Sequence, residues 1–280
     1  MDKLKDNIKS IDFKYIDISS DEDSSDAEEW DINRKKSGMK KIKNMNLPNK
    51  LIPPPSKGDK SFAESWLDEK KKGDILNFPC PLRCVLSGPP SSGKTYNIYN
   101  ILLRQNPPFE KVYLLHFDET SKDYTGIHFE NIFTEIPDPL HWKDDKQSKK
   151  CLIIEDLCFT NLNKIEKKRL NRLFGYTASH CNLSLLITSQ NFLDVGCDLR
   201  RQSNLIITFK QPDLNALVIM SKRCGMDSGD FLKIYDKYLK KTHTALYIDL
   251  QNDTKARYRV DGFTPIRKEG DEWMEYEVEY

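Results

Sequence analysis

At 280 residues the chain is long enough for one large α/β domain with appendages. Its 44 lysines and arginines against 43 aspartates and glutamates leave a net charge of +1, so overall charge argues neither for nor against a nucleic-acid partner. No apolar run approaches the ~18 residues of a membrane-spanning helix, so no membrane segment is expected, and the N-terminus, charged throughout, does not read as a signal peptide. Seven cysteines are scattered with no C-x-x-C pair, which predicts a reducing compartment without a disulfide framework. The five histidines show no ligand spacing with them, so no structural zinc site is expected.

Residues 1–60 read as a disordered arm. Asp12 to Asp31 holds nine acids against one base, Lys14, and Arg34 to Lys60 holds nine bases against one acid, Asp59. The SSDEDSSDAEE stretch cannot bury enough apolar surface to offset its ordering entropy. Ser20 and Ser25 each have an acid three residues on, which fits either acid-directed phosphorylation or a plain solvated tract. RKKSGMKKIK fits a nucleic-acid contact, a nuclear address or a tether. Pro53 to Pro55 reads as a stiff link, and residues 61–74 as a linker or short helix before a domain spanning 75–280.

Within that domain, Leu82–Ser87 is an apolar run of strand length, and Tyr96–Arg104 has helical spacing. Lys111–Phe117 predicts a second buried strand, and Asn131–Ile136 a short edge strand before Pro137 and Pro139. Asp144–Lys150 is a charged loop. Cys151–Asp156 (CLIIED) is a third buried strand ending in two acids, followed by a helix over Asn163–Thr177. Leu183–Thr188 and Asn204–Phe209 are the fourth and fifth buried strands. Leu214–Arg223 is helical and Gly225 breaks it. Ser228 can cap a helix running to about Lys240. Thr244–Leu250 and Arg257–Phe263 flank a polar turn and predict a C-terminal β-hairpin. Buried strands alternating with helices give a mostly parallel central sheet with helices on both faces.

The strongest motif is GPPSSGKT, formed by Gly88, Pro89, Pro90, Ser91, Ser92, Gly93, Lys94 and Thr95, a full match to the phosphate-binding loop. The glycines let successive backbone N–H groups face one centre, and the following helix points its positive end there. Lys94 would reach the β- and γ-phosphates of ATP and Thr95 would ligate Mg²⁺. Strand, glycine loop and helix follow in the order the motif requires.

An apolar strand ending in acids is the second half of such a site. One acid holds Mg²⁺ and the next orients the attacking water. By position, Glu155 is the Mg²⁺-side acid and Asp156 the water-side acid. The usual Asp-then-Glu order is reversed, which leaves open the alternative of Asp156 on the metal with Gln190 positioning the water. Gln190, just past the fourth strand, is a candidate γ-phosphate sensor or a turn residue. Arg200 and Arg201, in DLRRQSN, are candidates for an arginine finger acting on a neighbouring subunit, or a solvated surface pair.

GPPSSGKT, CLIIEDL, LLITSQN and LRRQSN, in that order, resemble the genome-packaging ATPases of large DNA viruses, the poxvirus-type branch of the FtsK/HerA superfamily. Related genes occur in virophages and Polinton-type transposons. The resemblance spans about residues 78–250. It implies a P-loop NTPase fold and an ATPase that drives double-stranded DNA into a preformed capsid. Its implied partners are duplex DNA, capsid or portal proteins, and other copies of the chain in a ring, commonly a hexamer. It also implies a location in the host nucleus or a cytoplasmic virus factory, or in the virion. Gly88, Gly93, Lys94 and Thr95 would bind ATP and Mg²⁺, Glu155 and Asp156 would be the acid pair, Gln190 the sensor, and Arg200 or Arg201 the finger. Glu at the first acid position departs from the family pattern. Basic loop residues, Lys122, Lys143, Lys146, Lys149 and Lys150, are candidate DNA contacts or ordinary solvated surface. The competing readings are another DNA-translocating ATPase or helicase, a nucleotide kinase, and a non-hydrolysing nucleotide switch.

Overall fold

The computed structural model describes residues 78–105, 108–117, 124, 126–251 and 256–277. The expected arm, the linker or helix after it, and Lys122 lie outside the described residues. The domain is built on one ten-stranded sheet of order β10-β9-β8-β7-β6-β1-β5-β4-β2-β3. Six neighbouring strands are parallel: β6 (Leu205–Phe209), β1 (Arg83–Ser87), β5 (Leu183–Ser189), β4 (Lys150–Ile154), β2 (Lys111–Leu115) and β3 (Asn131–Phe133). Four antiparallel strands extend the sheet: β7 (Ala245–Asp249), β8 (Tyr258–Val260), β9 (Thr264–Glu269) and β10 (Glu272–Glu275).

The interior positions of β1, β2, β4, β5 and β6 are mostly apolar because both faces of these strands are covered, whereas β3, at the sheet edge, is largely exposed. Alternate residues feed two cores. Val85, Leu152, Ile154, Leu185, Ile187 and Ile206 enter one, which α2 (Lys164–Arg172), α5 (Leu214–Arg223) and α6 (Ser228–Tyr238) cover. Cys84, Leu86, Ile153, Leu186, Leu205 and Ile207 enter the other, under α1 (Lys94–Arg104). Each fully buried Leu or Ile contributes about 1.5–3 kcal/mol, so the sheet beneath the candidate site is rigid.

The mostly parallel sheet, the flanking helices and the β7–β8 pairing match the expectation from sequence. Three details differ. The β7–β8 pair continues into β9 and β10, which extend the antiparallel wing. The cap of α6 is Asp227 rather than Ser228; its carboxylate accepts from Gly229 N and Asp230 N. Lys150 does not belong to a solvated basic loop. It is fully buried at the start of β4, and its Nζ donates to Asp145 O at 2.7 Å and Ser148 O at 2.6 Å. Lys111 bonds Asp145 at 2.8 Å, closing the same loop. That loop enters β4 at its N-terminal end, so it lies at the edge of the sheet opposite the phosphate-binding loop.

Candidate nucleotide-binding site

In an open parallel sheet the carboxyl ends of the strands form the ligand crevice, at the point where connections leave in opposite directions. Here that point is β1, whose neighbours are β5 on one side and β6 on the other. The GPPSSGKT loop leaves the end of β1 and opens into α1. Gly88 N donates to Ser189 O at 3.1 Å, which ties the loop to the end of β5. A Cβ on Gly88 would stand 2.8 Å from Ser92 Oγ and 2.9 Å from Phe209 Cβ, so this position takes glycine alone. Gly93, at the N-cap of α1, has φ +105°, a conformation that L side chains rarely adopt.

The loop holds its polar groups inward. Ser92 Oγ is buried and has no hydrogen-bond partner among the described residues. The first N–H groups of the 11-residue α1 have no intrahelical acceptors. Lys94 Nζ donates to Gly88 O at 2.8 Å and Pro89 O at 3.0 Å, folding over the loop. Burial depresses the Lys94 ammonium below the usual lysine range, and the charges of Asp156 and, less strongly, Glu155 oppose that depression. A glycine cradle, an orphaned buried hydroxyl, a helix N-terminus and one half-buried cation fit a polyphosphate. Thr95, in the first turn of α1, and one of the two acids supply oxygen donors that fit Mg²⁺.

The acid strand and the sensor strand are locked to this loop. Asp156 N donates to Thr188 Oγ1 at 2.9 Å, and Leu157 N to Thr188 O at 2.9 Å. Ser189 Oγ donates to Leu157 O at 3.1 Å. Lys94, Thr95, Glu155, Asp156 and Gln190 therefore sit on one edge of the sheet, with β5 standing between the acid strand and β1. The two acids differ in setting. Glu155 is nearly buried, accepts the Tyr124 hydroxyl at 2.5 Å, and has His116 Nε2 3.3 Å from its other oxygen. Asp156 is exposed with φ +42°, in the left-handed region that aspartate tolerates better than most residues. Gln190 is exposed at the end of β5.

Neither arginine bonds the phosphate loop, although Arg200 Nη1 donates to Phe192 O at 3.5 Å, two residues past Gln190. Arg200 and Arg201 lie in α4 (Cys197–Gln202), a short helix with no counterpart among the elements expected from the sequence. Two residues after α4, Asn204 N bonds Arg83 O at 2.9 Å, level with the beginning of β1. At about 3.3 Å per residue, β1 separates that level from the phosphate loop by roughly 17 Å. Arg200 lies over the Phe192 ring at 5.4 Å, whereas Arg201 is exposed and 3.9 Å from Asp198.

Several supporting residues carry no local signal in the sequence. Tyr124 and His116 hold Glu155 from 31 residues upstream and from the end of β2 respectively. Gln211 Nε2 bonds Ser87 Oγ and Thr208 Oγ1, both at 2.9 Å, beneath the start of the loop. Asn97 Nδ2 donates to Gly93 O at 2.9 Å and its carbonyl accepts the hydroxyl of buried Tyr247, which joins the antiparallel wing to α1. Arg223, on α5, donates to Arg200 O, Arg201 O and Ser203 O, closing the C-terminal carbonyls of α4.

No protein-family model matches the chain, and no curated protein matches it in sequence. Solved structures show distant likeness. The DNA-packaging ATPase B204 of Sulfolobus turreted icosahedral virus is 18% identical, over 66% of this chain and 97% of that one, at a TM-score of 0.48. The genome packaging NTPase B204 of Sulfolobus turreted icosahedral virus 2, in complex with AMPPCP, is 20% identical over 67% and 97%, at 0.46. The pCW3 conjugation coupling protein TcpA with ATPγS is 14% identical over 75% and 69%, at 0.45. At this distance the likenesses are to the general shape of the domain, and the chemistry of the site rests on the residues of this chain.

Proposed function

We propose that the chain is an ATPase that moves double-stranded DNA, and that its task is to package a viral genome into a capsid. The observation that carries the reading is the convergence of three strand ends. The GPPSSGKT loop, the Glu155–Asp156 pair and the Ser189–Gln190 strand end are hydrogen-bonded into one edge, with β5 between the other two. A nucleotide kinase would need an acceptor pocket and an arginine-rich lid, and the sequence carries no clear arginine-rich lid.

Bound Mg²⁺ would supply charge neutralisation at the phosphates. The chain's own residues do the rest. Lys94 exchanges its two loop carbonyls for phosphate oxygens, and the loop N–H groups hold the remainder. Thr95 and Glu155 would provide the metal-side oxygens, Asp156 would orient the attacking water, and Gln190 would contact the γ-phosphate. Neither Arg200 nor Arg201 has a hydrogen bond or ion pair to its own phosphate loop among the described residues, which fits a role on the neighbouring subunit of a ring, with six copies the expected number. The capsid or portal is the other expected partner, and the host nucleus, a cytoplasmic virus factory or the virion the expected setting.

The test is the ATPase rate of the full chain with and without long duplex DNA. Strong stimulation by duplex is the expected result. A rate indifferent to DNA would remove the translocase reading and leave the kinase or switch. The arginine role has its own test. Protein carrying Arg200→Ala and Arg201→Ala, mixed with Lys94→Ala protein, is expected to regain turnover that neither has alone. An unchanged rate in the double arginine variant would end the finger assignment.

A further inference from the structure

The helix that follows the acid strand carries a surface the nucleotide site does not use. It runs from Lys164 to His180 as α2, a π turn over Leu173–Thr177, and α3 (Ala178–His180). Its inner side, Leu170, Leu173, Phe174 and Ala178, is fully buried. Its outer side presents Lys164, Lys168, Arg172, Tyr176 and His180, four residues apart and all exposed. In an α-helix such a series drifts by about 40° per step. The π turn needs more residues per revolution and reverses the drift, which keeps the later members in line. Tyr176 and His180 stack at 4.1 Å, and Arg172 lies 6.0 Å from the Tyr176 ring.

Helix stability does not account for these charges. Lys164 is the first residue of α2, at the positive end of the helix dipole, where acids are favoured. Lys164, Lys168 and Arg172 are like charges at i, i+4 spacing, which repel. None of the three has an ion-pair partner among the described residues. The other two bases of α2 are engaged inward, Lys167 with Thr160 O and the Phe159 ring, and Arg169 with Ile136 O and Asp138. Its one acid, Glu166, is engaged in the capping box with Asn163.

We propose that this outer face is the track on which the chain holds the phosphate backbone of duplex DNA. The inference rests on the DNA-motor reading and places its DNA contact. The stripe is about 24 Å long, at about 1.5 Å per residue, or roughly seven base pairs at 3.4 Å each. Three flexible cations and two ring donors grip phosphates and carry no code for base edges, which suits a motor indifferent to sequence. The helix starts beyond the end of β4 that bears the acid pair and returns to the opposite edge, so movement at the nucleotide edge acts on one end of the track. The rival basic segment, Lys143 to Lys150, is a loop closed by buried Lys150 and the Lys111–Asp145 pair.

The experiment measures binding of a labelled 60-bp duplex of random sequence to the full chain across a salt series. One variant carries Lys164→Ala, Lys168→Ala and Arg172→Ala. A control removes equal charge through Lys143→Ala, Lys146→Ala and Lys149→Ala. Basal ATPase without DNA is followed in each as the check on folding. The stripe variant is expected to lose at least tenfold in affinity near 0.1 M salt. Its slope of log K against log salt is expected to flatten by about 2.7, from three phosphate contacts at about 0.9 each. The control is expected to stay within about twofold of wild type, and basal rates to be unchanged. Wild-type binding by the stripe variant, or an equal loss in the control, would overturn the track. Absence of DNA binding by the wild-type chain would instead take down the DNA-motor reading, and the track with it.

Discussion

Lys94→Ala is expected to lower the ATPase rate by about 10²- to 10³-fold, the loss that follows removal of one preorganised charge-stabilising donor. The ammonium sits over the loop on the Gly88 and Pro89 carbonyls, at 2.8 and 3.0 Å. It is partly desolvated, and the acid pair sustains its charge. Developing charge on the γ-phosphate oxygens is what this cation meets. The alanine leaves no direct substitute, because no other lysine or arginine side chain hydrogen-bonds the loop among the described residues. The fold should survive. The loop is anchored independently by the Gly88–Ser189 bond and by the Asn97–Gly93 bond. Losing two hydrogen bonds while also removing a desolvated charge changes stability by about 1 kcal/mol either way. The check is a steady-state rate with MgATP alongside a thermal melt. A fall of less than tenfold with an unchanged melt would mean that phosphoryl transfer occurs elsewhere.

The buried parallel strands and the phosphate loop were legible in the sequence because both signals are local. A strand covered on two faces is mostly apolar along its interior, and glycine positions in a tight loop are fixed by backbone geometry. The features that escaped are those decided at long range or by weak patterns. Cys197–Gln202 has one buried apolar side chain, Leu199, so no helical period appears. The β9 segment TPIRKE carries a proline and three charges; its pairing with β8 and the burial of Pro265 and Ile266 make it a strand. Asp227 and Ser228 are both good capping residues, and only the bonds to Gly229 N and Asp230 N decide between them. A lysine at a strand start normally reaches water. Lys150 is buried because the Asp145–Ser148 turn offers it two carbonyls. Within the site, the residue types of Glu155 and Asp156 were visible, but their different settings were not. Those depend on Tyr124 and on His116, which directly follows β2 and is set beside the acid strand by the pairing of β2 with β4.

That difference in setting makes the acid pair the sharpest test of the mechanism. Cys151 and Ile153 face the α1 side of the sheet, and strand alternation puts Glu155 on that side too. Tyr124, which bonds Glu155, also contacts Tyr99 at a ring separation of 6.0 Å. Tyr99 lies one turn beyond Thr95 on α1. Glu155 therefore shares the face of the proposed metal ligand, whereas Asp156 stands exposed at the strand tip. Asp156→Asn is expected to bind MgATP normally while kcat falls by about 10²- to 10⁴-fold, the range for loss of a positioned general base. Glu155→Gln is expected to raise the Mg²⁺ concentration needed for ATP binding by about tenfold or more, along with a loss of kcat. Tyr124→Phe keeps the ring and removes the hydroxyl. It should shift the Mg²⁺ requirement in the same direction as Glu155→Gln, by less, and add nothing in a Glu155→Ala background, since a residue acting through another is silent once that partner is gone. Magnesium titrations of nucleotide binding beside single-turnover hydrolysis separate these outcomes. If Asp156→Asn raises the Mg²⁺ requirement and Glu155→Gln traps bound ATP, the two acids exchange roles, and Gln190 becomes the residue that positions the water.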